Sequence, residues 1–159
     1  MNRHNWIHSA TAFNHSYADA GLFYIHASSD PKLINDALIV ILDQYFSLLK
    51  GVDEVELKRA RTQLKSQFLI SLEVRPAIFE DLVRQIIYHG CTRRPEEYIA
   101  EIDRVKIQDI VRIAERMLSG RPSLVGYGDI SELYSFEAIN DAVAQRNFCA
   151  LGNRGVKLW

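Results

Sequence analysis

Residues 10–29, ATAFNHSYADAGLFYIHASS, run straight into Asp30 and Pro31 and then a long apolar stretch, and that order constrains the fold more than any other feature. Residues 7–17 and 20–29 are rich in β-branched and aromatic side chains at alternating positions, with turn-forming residues between them at 17–21. The pattern predicts an antiparallel hairpin. Asp30 can accept from the free N–H groups of a following turn and Pro31 suits the first helical position, so a helix is expected over 31–50, stopped by Gly51. From Leu33 to Phe46 it is apolar nearly all round, as a helix packed on a sheet and on other helices must be.

Helices dominate the middle of the chain. Asp53 with Glu56 three residues on predicts a capped second helix whose stripe Leu57, Ala60, Leu64, Phe68, Leu72 faces inward, ending near Arg75 and Pro76. A third helix is expected over 77–89, closed by Gly90, then a fourth over 95–103 and a fifth over 107–118. Gly120, Arg121 and Pro122 break the run, 123–128 reads as a short strand, and Ser135 caps a last helix to about residue 145. The tail, 147–159, is weakly patterned. Early strands, a helical middle and one late strand define an α+β class, with helices layered on a mainly antiparallel sheet in a single domain over 1–159. Three strands make a thin sheet with open edges, so part of the sheet is expected to come from outside these residues.

Composition excludes several classes of function. With 159 residues, 48% of them hydrophobic, the chain can bury a real core. Its net charge of -1 gives no field to concentrate a polyanion, so no nucleic-acid partner is expected. Cys91 and Cys149 have neither metal-knuckle spacing nor scaffold density and read as reduced, unligated thiols. The best apolar run, 37–49, is interrupted by Asp43, Gln44 and Ser47, so no membrane insertion is expected. The opening residues, Met1 to His4, carry neither a secretory nor a transit pattern.

Helix-borne zinc hydrolysis needs two histidines one turn apart with a glutamate to take a proton from bound water. Neither His-x-x-Glu-His nor His-Glu-x-x-His occurs among His4, His8, His15, His26 and His89. His4 and His8 have helical ligand spacing, but they approach a strand, where a four-residue step does not converge on one ion. Ser28, Ser29 and Cys91 sit in no nucleophile signature and read as a strand end and a loop thiol. Gly126 and Gly128 are too close together for a phosphate loop and suit a tight turn. No catalytic residue and no metal ligand is therefore assigned, and substrate-binding residues stay unassigned. Lys58, Arg61 and Lys65 read as a solvated basic stripe opposite the apolar face of the second helix. The acids Glu73, Glu80, Asp81, Glu96, Glu97 and Glu101 read as helix-start charges that could also attract a basic peptide.

Several stretches together resemble one family: TAFNHSYAD (11–19), IHA (25–27), EVEL (54–57), TQLKS (62–66), RP (75–76), IFED (78–81), RQ (84–85) and GD (128–129). They are similar to the C-terminal part of the alpha subunits of mitochondrial processing peptidases, in the pitrilysin-like metallopeptidase family, across residues 3 to about 145. The resemblance implies an incomplete α+β domain of that family and a non-catalytic subunit located in the mitochondrial matrix. It also implies a zinc-bearing beta subunit as partner, with the metal held there and not in this chain, and basic presequence peptides as substrate. The glycine-rich loop tied to presequence handling would precede residue 1, so no catalytic or binding position is carried over. The alternative within the fold family is a structural core subunit of the respiratory bc1 complex.

Overall fold

The computed structural model describes residues 4–17, 19–148 and 151. Its elements are strands β1 (Ile7–Ser16) and β2 (Gly21–Ser29), and helices α1 (Ile34–Leu48), α2 (Glu54–Ser71), α3 (Arg75–His89), α4 (Pro95–Arg104), α5 (Ile107–Leu118) and α6 (Phe136–Gln145). The class is α+β, as the sequence indicates, and the described sheet has two antiparallel strands. Phe13 stands opposite Tyr24 and His15 opposite Leu22. The turn between the strands is fastened by Tyr17 N–H donating to the Ala20 carbonyl at 2.9 Å. Register slips between Ile7 and Ser9, which makes His8 a bulge residue whose ring reaches the Asp30 carboxylate at 3.3 Å.

The expected late strand at 123–128 does not form. Those residues have no ladder partner among the described residues, and Val125 is 93% exposed. Strand character is completed by pairing, which β-branched composition alone cannot provide. The start of the first helix also differs from expectation. Pro31–Leu33 is a 3-10 turn, and the Asp30 side chain makes no capping bond because it is turned toward His8. Asp53 likewise occupies the N-cap of α2 without a side-chain bond. Ser135 does cap α6, its hydroxyl accepting from Ala138 N–H at 3.3 Å. Residues 147, 148 and 151 are described, whereas the rest of the expected tail lies outside the described residues.

Two compact units are present, of which the second spans Gly51–Arg112. The core of the first joins Leu38, Ile39, Leu42 and Phe46 of α1, Leu118 of α5, and Ile139, Ala142 and Val143 of α6. Phe148 closes on Phe46 at 5.4 Å. Alternation along the strands gives the hairpin two faces. Phe23 projects from one and meets the Tyr45 ring edge-on at 6.0 Å, which sets that face against α1. The other face carries Thr11, Phe13, His15, Leu22, Tyr24 and His26, all exposed.

In the second unit Leu57 is the buried residue of α2, and Phe68 packs on Tyr98 of α4 at 5.4 Å. Gly51 begins this unit at φ +84, where a Cβ would stand 3.2 Å from the Ile107 Cγ2 methyl.

Candidate functional site

The histidines and hydroxyl residues weighed in the sequence are placed in strand and loop surroundings. His4 lies edge-on to Trp6, His8 is bonded to Asp30, and His15 Nε2 lies 3.2 Å from the Tyr24 hydroxyl. His26 faces Thr11 across the hairpin. Among the described residues no three His, Cys, Asp or Glu side chains form a group that could hold a metal ion. The His89 side chain and Cys149 lie outside that description. The Ser29 hydroxyl donates to the Asp30 carbonyl at 3.4 Å, a strand-end contact. Cys91 is an exposed free thiol in the joint after α3. The glycines at 126 and 128 serve a close turn: a Cβ on Gly126 would stand 3.1 Å from Ile130, and Gly128 has φ +102. Asp129 caps that turn by accepting from the Ser131 hydroxyl at 2.7 Å and from its N–H at 3.2 Å, and the two bonds hold the carboxyl below its usual range.

The basic stripe on α2 is placed differently from the sequence reading. Lys58 is solvated, but Arg61 and Lys65 lie on the half-covered face with Leu57 and Phe68, whereas Ala60 and Leu64 are exposed. Arg61 Nη2 donates to the Val105 carbonyl, and Lys65 Nζ reaches Asp103 at 2.7 Å. The long stems of both residues cover apolar surface while their heads find oxygen partners on and beside α4, so the covered face turns toward them. The acids of α4 are also engaged. Arg93 approaches Glu97 at 3.6 Å and Glu101 at 2.5 Å, with its guanidinium 5.3 Å over the Tyr98 ring. The bond to Glu101 is the main reason the Arg93 pKa is raised, while burial, then the Asp81 charge, pushes the Tyr98 phenol up.

Helix α3 buries Gln85 and leaves most of its large apolar side chains exposed. Gln85 is 5% exposed; its side chain donates to Asp81 Oδ2 at 2.6 Å and accepts from Arg93 N–H at 2.7 Å. Ile78 and Asp81 share that covered side. Phe79 and Ile87 are each 69% exposed, and with Leu82, Val83 and Ile86 they form one exposed set. At 100° per residue these five fall within an arc of about 140°. An amphipathic helix normally turns such an arc inward, and a contiguous apolar patch on a surface marks a place where something else packs. Periodicity in the sequence gives the arc but not the side from which it is covered.

Residues 2–64 match the Peptidase M16 inactive domain. A chain of complex III2 from Candida albicans, bound to Inz-5, superposes with a TM-score of 0.68 over 72% of this chain and 28% of that one, at 22% identity, which establishes a shared fold. The first part of the chain thus matches an M16 inactive domain, and the fold is shared with that solved chain. More particularly, it is homologous to the alpha subunits of mitochondrial-processing peptidase. It is 52% identical to that subunit of Caenorhabditis elegans over 96% of this chain, and 42% identical to the subunit of Bos taurus over 92%. It spans 30% of the length of the first relative and 28% of the second.

Proposed function

We propose that this chain is a non-catalytic part of a mitochondrial processing peptidase alpha subunit. In this reading it works in the mitochondrial matrix beside a zinc-bearing beta subunit that cleaves basic presequences. The observation that carries this reading is the 52% identity to an alpha subunit across 96% of the chain, in a sequence without a zinc-hydrolase motif. The chain contributes shape, interface and peptide contacts, while the partner holds the metal and activates water. The exposed arc of α3 supports a role inside an assembly, since solvent alone is a poor environment for Phe79 and Ile87.

The reading of a respiratory core subunit has weaker support, because the likeness to the complex III2 chain is one of fold at 22% identity. Co-expression with a beta subunit tests the proposal. The expected result is a stable complex whose cleavage of a presequence peptide depends on this chain within its full-length context. Failure to associate in that context, or copurification with cytochromes instead, would overturn it.

A further inference from the structure

We infer that the free face of the β1–β2 hairpin is a stacking platform for guanidinium groups of a basic peptide, a step that rests on the presequence-handling role proposed above. Phe13 and Tyr24 lie 5.1 Å apart with 20° between their planes, and His15 and Tyr24 lie 5.6 Å apart with 18° between theirs. Phe13 and His15 are 3° from parallel. Three near-parallel rings therefore stand together on the face turned away from α1, next to exposed Leu22. Each of the three residues is exposed, which leaves ring surface for one more planar group.

Charge selects that group. Residues 4–31 contain Asp19 and Asp30 and no lysine or arginine, so no cation from the hairpin itself occupies the rings. Elsewhere the chain fills comparable positions with its own arginines: Arg93 lies 5.3 Å from the Tyr98 centroid and Arg121 lies 4.8 Å from that of Phe136. Ring faces are electron-rich, and a guanidinium is flat and loses its water more readily than an ammonium. Arginine is accordingly the preferred occupant. Nucleic-acid bases would also stack, but no basic residue of the hairpin is present to hold their phosphates. A second copy would bring a further acidic, cation-free hairpin to the same face.

The test is fluorescence anisotropy with three labelled amphipathic peptides, identical except that their basic positions are all arginine, all lysine or all citrulline. The arginine peptide is expected to bind the wild-type chain about two- to five-fold more tightly than the lysine peptide, with citrulline weakest. Phe13→Leu with Tyr24→Val should abolish that preference. Thr11→Arg, which keeps every ring and places a competing cation on the same face, should reduce it independently. Equal binding of the three peptides, or an unchanged preference in Thr11→Arg, overturns the platform. The two proposals fail separately. A chain that assembles with the beta subunit and supports cleavage but shows no arginine preference removes the platform alone. A chain that prefers arginine yet never assembles removes the processing role alone.

Discussion

Asn35, in the first turn of α1, is tied to Tyr134, 99 positions later: its Oδ1 accepts from Tyr134 N–H at 3.0 Å while its Nδ2 donates to the Glu132 carbonyl at 2.6 Å. One amide thus satisfies a donor and an acceptor in the segment leading into α6. Asn35→Ala leaves the half-covered Tyr134 N–H unpaired, while the exposed Glu132 carbonyl turns to water, and should cost about 1–3 kcal/mol. Asn35→Asp keeps only the acceptor and should fall between the two. Urea midpoints of the three proteins check this order, which equal midpoints for wild type and Asn35→Ala would contradict.

Gly51 and Gly90 both have positive φ, +84 and +70, but only Gly51 is also crowded. At Gly90, the left-handed residue that closes α3 by donating to the Ile86 carbonyl, an added Cβ meets nothing within 4 Å. Gly90→Ala should therefore cost only conformational strain, about 1–2 kcal/mol. Gly51→Ala adds the displacement of the Ile107 methyl and should cost more. Thermal melts of the two variants give the comparison.

The punctuation of the fold was legible in the sequence because its signals are local. Gly51, Gly90 and Pro95 mark helix ends where the structure has them, Ser135 caps α6, and α5 matches its expected span to the residue. Other features depend on partners that one segment does not specify. Residues 123–128 have strand composition but no strand to pair with, and Asp30 turned to His8 instead of capping. Arg61 and Lys65 looked like solvated charge because their carbonyl and carboxylate partners lie about 40 residues on. The aromatic set of the hairpin was hidden for a similar reason, since register brings Tyr24 beside Phe13 and His15.

Gln85 is the buried polar hub of the second unit, and its carbonyl is the acceptor for Arg93 N–H. Gln85→Leu keeps the bulk but strands that N–H and the Asp81 carboxylate. A loss of about 1–3 kcal/mol is expected, with faster amide exchange at Arg93 as the local readout. Unchanged exchange there would mean that the joint between α3 and α4 is held by other contacts.

The two bonds from Ser131 favour the charged form of Asp129, so its folded pKa lies below the unfolded one. Its contribution to folding is accordingly complete above the usual carboxylate range and is lost as pH falls through the lowered value. Ser131→Ala should move the Asp129 titration midpoint upward in a carboxyl-detected NMR experiment. The variant should differ from wild type at neutral pH and converge with it in acid. A midpoint that does not move would leave the hydrogen bonds without electrostatic effect.

Phe79 and Ile87 distinguish folding from assembly. Because each is 69% exposed, replacing them with polar residues removes little buried area, and Phe79→Ser with Ile87→Gln should change the chain's own stability by no more than about 1 kcal/mol. The same substitutions remove the two most exposed members of the α3 arc, and apolar anchors at the centre of an interface carry most of its energy. Association with the beta subunit should therefore weaken about ten-fold or more, while Lys58→Gln on the solvated side of α2 leaves it unchanged. Sedimentation of the mixed subunits measures both effects. Loss of folding without loss of association would show that the arc packs within the chain's own domain, and the interface would have to be sought elsewhere.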